Sequence, residues 1–509
     1  MSYPGFPYKQ ATEFPTEFLN PKPLEPLHLY RPGGFHPINF GDRLGADGRF
    51  RVVRKLDIAY SGTVWLCQDT ASPTIKWRAV QVFSASASST DCKELRAMEA
   101  FSDIDRSVLE NEFHITTPLE HFWFDGPNGR HLAMVFPFMG FGARKFFKSY
   151  GHLRKQIKDI CFQAAKAMEL MHSRGLCYGN FRPHNIFFRL RDGVDSLPEQ
   201  ELLKKLPYVE RIQVLTIEDE KPVNRISDPS VPEFLVSFSA LTFKSGLCAT
   251  DITVADFGVS YPPSHPPSEP YTGPWDCPAP EDLFNIRELR GYPTDIWNLG
   301  CTIHHLACGV DLVDLDLDVI LRCRSRLEED CIRIEQLAGP MPEPFRSLFR
   351  NVYGEETPAE EASTPEQDLP PLTEPTRGYW EHARSSQPWS PVPQGIDLLR
   401  FNMITKTDTD VTPRQLREMR DKLNQDGSTL PPFRYTGRPD CIQVQMDMDE
   451  IDQLSDLLMS IFKWHPKDRA TIDQVLNHAW FEGRNQRAAK VPAPGTSGGK
   501  KSTRVGEGS

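Results

Sequence analysis

Between residues 50 and 83 the apolar positions recur with a period of two. "RFRVVRKLDIAY" and "SGTVWLCQD" are rich in β-branched and aromatic residues and meet at a turn, and "TIKWRAVQVFSA" follows them, which predicts a three-stranded meander. The pattern then changes. "DCKELRAMEAFSDID" has helical spacing, "HITTPLEHFWFDGPNGRHLAMVFPFMG" reads as a hairpin around a Gly-containing turn, and "HLRKQIKDICFQAAKAMELMHSRG" as a long amphipathic helix stopped by glycine. Beyond it the chain is mainly helical, as in "YPTDIWNLGCTIHHLACG" and "IDQLSDLLMSIFKW". The pattern predicts a small β-rich lobe over 37–140 and a larger helical lobe over 141–482.

Two stretches interrupt this rhythm. Residues about 189–250 begin acidic and helical in "SLPEQELLKKL", and about 348–440 are dense in Pro, Glu and Thr, so both read as partly disordered insertions in the larger lobe. Residues 1–36, rich in Pro and aromatics without a period, and 483–509, of low complexity, read as extended or disordered tails.

Composition narrows the classes. Of 509 residues 39% are hydrophobic and 25% charged, enough for one large or two medium domains, and a net charge of -11 argues against coating a nucleic acid while suiting a basic partner. Eleven cysteines without a C-x-x-C pair suggest neither a disulfide framework nor a zinc site. Reduced thiols, no basic-then-apolar leader and no window of eighteen apolar residues point to a cytoplasmic or nuclear protein without a membrane span.

Candidate chemistry sits in short motifs: "KELRAM", "MVFPFMG", "CYGNFRPHNIFF", "VADFGVS", "CPAPEDLF", "TDIWNLG" and "WHPKDRAT", in that order. Singly each is weak, because a lone Asp or Glu is usually a helix cap or a solvated charge. Their order carries the argument. Together, over about residues 30–482, they resemble the eukaryotic protein-kinase family, and within it the SR-protein kinases in their expanded fungal branch.

The resemblance implies an α+β, bilobal protein-kinase fold with a β-rich N-lobe and a helical C-lobe, and it implies ATP and Mg²⁺ as cofactors. Asn185 and Asp256 match the magnesium-binding Asn of the catalytic loop and Asp of D-F-G. Glu94 matches the helix glutamate that pairs with a strand lysine. Glu281, Arg469 and Asp295 match three residues with structural roles, the first two as an ion pair and the third as a cap on the catalytic-loop backbone. Val64, Ala79 and Phe187 would sandwich an adenine, with Phe136 as gatekeeper and Pro137, Phe138 and Met139 as hinge. Met98, Leu119, Phe257 and Tyr178 would stack between the lobes.

The departures are as specific as the matches. Gln81 stands at the strand lysine, so Glu94 loses its ion-pair partner and the phosphates lose a cation. Of the three glycines of the phosphate loop one remains, Gly62, the other positions being Asp57 and Ala59, so nucleotide binding should weaken. Asn180 replaces the catalytic Asp, and an amide is no base; general-base catalysis is worth about 10²–10⁴-fold. Arg182 keeps the charge of the usual catalytic-loop lysine.

Two readings follow. The first is a pseudokinase, a binding or regulatory module with weak or no phosphoryl transfer; the alternative is an active serine/threonine kinase with an atypical site. A protein partner or substrate, basic or Arg-Ser-rich, is expected in either case. Glu328, Glu329 and Asp330, with Asp311, Asp314, Asp316 and Asp318, are candidate docking acids, although a charge run is usually solvated surface.

Overall fold

The predicted meander forms the middle of an antiparallel sheet in the computed structural model, which describes residues 7–10, 24–59, 61–145, 154–237, 246–269, 277–309, 312, 325–353 and 448–483. The strands, in chain order, are β1 (Tyr8–Gln10), β2 (Arg43–Leu44), β3 (Phe50–Ala59), β4 (Gly62–Asp69), β5 (Trp77–Phe83), β6 (Glu120–Gly126), β7 (Gly129–Pro137), β8 (Ile186–Leu190), β9 (Arg211–Thr216), β10 (Phe234–Val236) and β11 (Cys248–Val254). The helices are α1 (Lys93–Ala100), α2 (Arg106–Asn111), α3 (Arg154–Ser173), α4 (Glu199–Lys205), α5 (Pro280–Leu283), α6 (Tyr292–Cys308), α7 (Arg326–Ala338), α8 (Phe345–Tyr353), α9 (Met448–Ile461) and α10 (Ile472–Leu476).

Six strands in the order β2-β3-β4-β5-β7-β6 make the sheet of the smaller lobe. Alternation puts Trp65, Cys67, Val80, Val82, Ala133 and Val135 on its outer face with Ile38 and Leu44. Ala79, Phe83, Leu132, Met134 and Phe136 lie on the inner face, where α1 and the residue that precedes it, Cys92, pack. In the larger lobe α3 packs against β11, α6 and α10 around one continuous apolar core. Gly309 ends α6 in the left-handed region at φ 65°, where glycine carries no Cβ penalty. The arrangement is the expected α+β, bilobal one, a sheet lobe followed by a helical lobe.

Two expectations need correction. Residues 24–36 are not a loose tail: Tyr30 and Phe35 are buried, and the Glu25 carboxylate takes hydrogen bonds from the Tyr30 hydroxyl and the buried Lys55 ammonium. The first insertion is also largely folded. α4 forms where the acidic helix was expected, and β9 pairs antiparallel with both β10 and the N-terminal β1, Lys9 opposite Leu215. Val214, Val223, Val231 and Leu235 of the insertion share a small core with Tyr30 and Phe35. Nearly all of the second insertion, and the C-terminal tail after Gly483, lie outside the described residues.

Candidate functional site

The loop after α3 is fixed by one buried carboxylate. Asp295, at the start of α6, accepts the backbone N–H groups of Tyr178 at 2.7 Å and Gly179 at 2.8 Å, and His172 Nε2 lies 3.2 Å from it. Gly179 has φ +80°, and a Cβ there would come within 2.9 Å of the Val259 carbonyl, so the turn requires glycine. Tyr178 stacks edge-on against Phe257 at 5.3 Å, and its hydroxyl donates to the Ala255 carbonyl.

β8 and β11 then bring the two metal candidates together. Ile186 pairs with Val254, and the Ala255 N–H donates to the Asn185 carbonyl at 3.0 Å, so Asn185 and Asp256 follow directly from two bonded strands. Asn185 Nδ2 donates to the Asn180 carbonyl at 3.2 Å. The Asn180 side-chain oxygen is buried without a partner among the described residues, as is Arg182 Nε. Asp256 has φ 69°, an uncommon value for a non-glycine residue and one that concentrates at functional turns.

Above this floor the charges are unbalanced. Glu94 is buried in α1 and reaches the D-F-G turn: a Cβ on Gly258 would lie 2.6 Å from Glu94 Oε1 and 3.4 Å from Asp256 Oδ1. Asp256 is open to the cleft as a residue, yet desolvation of its carboxyl there and the neighbouring Glu94 charge raise it to about 6, against smaller opposing effects of the Gly258 N–H and Arg182. Gln81 lies on the same sheet face as Ala79 and Phe83, toward α1, yet no hydrogen bond among the described residues joins it to Glu94. The donor to Glu94 is instead the Cys92 thiol, 2.9 Å from Oε2, whose own ionisation burial pushes up to about 12. Sequence reasoning missed Cys92. Its only signal is a thiol two positions before the glutamate.

The remaining nucleotide-site candidates divide. Val64, Ala79 and Phe136 share one apolar cluster, and Phe187 is half-buried on β8 opposite Thr253. Gly62 has a local reason to be glycine: a Cβ there would lie 2.1 Å from the Val82 carbonyl, so strand packing alone demands it. Phe138 turns into the core of the larger lobe and can offer a nucleotide only its backbone. A cavity of about 220 Å³ borders Pro137, Phe138 and Met139 together with Arg78, Thr116 and Arg189. Arg78 alternates with Ala79 along β5, so this cavity borders the face of β5 opposite to Ala79.

The residues with expected structural roles also meet their partners. Arg469 donates to both Glu281 oxygens, at 2.7 and 2.6 Å, with both side chains fully buried, and also to the Pro293 carbonyl. The inter-lobe stack requires correction. Phe101, just past the end of α1, meets Phe257 at 5.9 Å, and Leu119 packs on the outer sheet face with Ile38 and Val52. Glu328, Glu329 and Asp330 are buried at 9% exposure or less, and Arg326 and Arg333 of the same helix pair with Glu329 and Asp330. They are not solvated surface. Asp311, Asp314, Asp316 and Asp318 lie outside the described residues.

Could this site hold Mg-ATP? Among the described residues no group of three or more His, Cys, Asp or Glu side chains could hold a metal ion. A magnesium ion at Asn185 and Asp256 would need oxygens from the nucleotide's own phosphates, the usual situation for this hard ion. The floor therefore fits a metal–nucleotide pair, and the roof supplies no lysine to the phosphates. Among the described residues no helix is long and apolar enough to cross a membrane.

No family model matches the chain. Among curated proteins it is 31% identical over 191 residues to serine/threonine-protein kinase SKY1 of Saccharomyces cerevisiae, a match covering 36% of this chain and 25% of that protein. It is 30% identical over 161 residues to protein kinase dsk1 of Schizosaccharomyces pombe, covering 31% and 29%. With SRSF protein kinase 3 of Homo sapiens it shares 28% over 167 residues, covering 32% and 29%. The matches thus span less than a third of those relatives' own lengths. A crystal structure of a kinase domain aligns over 88% of this chain and 99% of its own at 16% identity, with a TM-score of 0.47.

Proposed function

We propose that this chain, a relative of the SR-protein kinases built on the bilobal protein-kinase fold, is a pseudokinase: a binding or regulatory module, nucleotide-dependent or nucleotide-free, with little or no phosphoryl transfer. The observation that carries this reading is the facing pair Glu94 and Asp256, with Gln81 where a cation would separate them. Magnesium, when bound, supplies charge neutralisation to the phosphates. The chain's contribution is to hold Asn185 and Asp256 side by side, to fix the loop through Asp295, and to place Arg182 near the Asp256 charge. Asn180, in the position of the base, has no proton-accepting carboxylate. Its partner would be a protein, basic or Arg-Ser-rich, as the net charge and the relatives suggest.

The intact floor supports a second reading, an active serine/threonine kinase with an atypical site. Thermal-shift titration with Mg-ATP, and with ATP plus EDTA, separates the possibilities. Ligand at a hundred times its dissociation constant stabilises by about 2.7 kcal/mol. A metal-dependent shift without phosphate transfer to an Arg-Ser peptide is the expected result. Transfer that disappears in Asp256→Ala would overturn it in favour of the active kinase. The double variant Gln81→Lys with Asn180→Asp should gain transfer if the scaffold is otherwise competent.

A further inference from the structure

The hairpin of β3 and β4, which roofs the nucleotide candidates, is gripped from outside by another part of the chain. Register assigns its two faces. Asp57 pairs with Val64 and both take the inner face, where Val64 and Leu56 pack with Ala79 and Phe136. Lys55 pairs with Trp65 and Ile58 with Thr63, which turns Lys55 and Ile58 outward.

Both outward residues meet the N-terminal segment. Lys55 is fully buried, bonds to Glu25, and lies over the Trp65 ring at 4.9 Å. Ile58 packs into the small core that Tyr30 and Phe35 share with the first insertion. The same segment continues across the lobe: the Ala85 and Ser86 N–H groups donate to the Gly34 and Gly33 carbonyls, just ahead of α1. Asn128 Nδ2 reaches both the Phe35 and Ser230 carbonyls, tying the segment and the insertion to the β6–β7 turn. A hairpin that in a flexible state would close over a ligand is thus held by a strap.

We propose that residues 24–36 act as an intramolecular ligand of this hairpin, with Glu25 and Lys55 as positioning residues, so that strap docking and nucleotide binding read opposite faces of the same two strands. The strap orders the hairpin in advance, and a nucleotide arriving on the inner face then meets a roof that has already lost its freedom; the two events are coupled with positive sign. The coupling is reciprocal. The nucleotide half of this statement rests on the function proposed above, and the ordering of the hairpin does not.

The experiment is hydrogen exchange on the full chain, comparing peptides covering the β3–β4 hairpin with those of α6, in the wild type and in Glu25→Gln, in the doubly neutral Glu25→Gln with Lys55→Met, and in Asn128→Ala. Exchange of the hairpin amides should rise by about tenfold in Glu25→Gln and Asn128→Ala, with α6 unchanged. In the same variants the affinity for Mg-ATP should fall by a similar factor, and Mg-ATP should slow exchange of residues 24–36 in the wild type. If the strap peptide exchanges faster while the hairpin keeps its wild-type protection, the proposal is wrong. Should Glu25→Gln loosen the whole chain because it strands a buried ammonium, the doubly neutral variant and Asn128→Ala decide by the same comparison. A wild type that binds no Mg-ATP would leave only the nucleotide-free form of the proposed function, overturn the coupling half of this proposal, and leave the exchange result to stand by itself.

Discussion

The floor and the roof of the cleft are held together by different chemistry. On the floor, two buried framework carboxylates have their partners: Glu281 has the Arg469 fork, and Asp295 has two backbone N–H groups and His172. In the roof the cation is absent, a thiol serves Glu94, and the hairpin is fixed by apolar contacts and an ion pair on its outer face. The floor is therefore a rigid holder, and the roof a surface adapted for being held. A chain can lack the roof cation and still keep the frame of the floor.

The largest way to break this contrast is at the floor. Arg469→Met leaves Glu281 as an uncompensated buried charge, and breaking such a pair from one side costs about 3–5 kcal/mol. The urea midpoint should fall sharply, with less loss in the double variant Arg469→Met with Glu281→Gln. Equal losses in both would mean that packing, not charge, dominates the site. Next in size is Asp295→Ala, which orphans the Tyr178 and Gly179 N–H groups and should cost about 2–4 kcal/mol. It should also release the loop that carries Asn180, seen as faster exchange there than in β11.

Much of the floor was legible because its residues sit in short motifs whose order survives in the sequence. Asn185, Asp256, Glu281, Asp295 and Arg469 could be placed by counting from neighbouring letters. The N-terminal contacts were not legible, for a physical reason: β1 is three residues long and pairs with a strand some two hundred residues later, and residues 24–36 form no strand or α-helix, so no local period announces either. Lys55 and Glu25 are equally silent, since a charged residue in a strand usually faces water. Leu119 was misassigned because it precedes β6, where the alternation of the strand no longer fixes which face a side chain takes. The buried acids of α7 misled for the converse reason. A run of charges reads as solvated surface, whereas Arg326 and Arg333 satisfy Glu329 and Asp330 within the same helix.

A smaller effect is expected from removing a charge the site does not balance. The Asp256 carboxyl lies at about 6 in the folded chain, above the ordinary 3.8, so the folded state holds its proton more tightly than the unfolded state. The stability this contributes is fully present below about pH 4 and is lost as pH rises through 6. Burial gives Asp282, at about 7, and Glu335, also at about 7, the same sign, so these acids favour the folded state on going from about pH 7.5 to 5.5, against the opposite pull of His36, His114 and His131, whose rings burial holds neutral. Asp256 is open to solvent, which screens this effect, so Asp256→Asn should stabilise the chain only slightly at the higher pH and remove its share of the pH slope, as read by urea midpoints. An unchanged slope would show that Asp256 does not titrate in this window. Metal binding carries the opposite sign, since a cation competes with the proton and should bind more weakly below pH 6.

The finest test restores the missing charge alone. In Gln81→Lys the new ammonium would stand on the inner sheet face toward α1, where it could approach Glu94. Part of its attraction to Glu94 is cancelled by its own desolvation, so the gain at neutral pH should be only about 1 kcal/mol. The more telling readout is Asp256, whose carboxyl should drop from about 6 toward the ordinary carboxylate range once a positive charge offsets Glu94. Chemical-shift titration of that carboxyl, wild type against Gln81→Lys, measures it directly. A drop would mean that the roof differs from an ion-paired one by a single residue. If Asp256 does not move, the Cys92 bond already holds Glu94 beyond the lysine's reach, and the roof has been rebuilt around its loss.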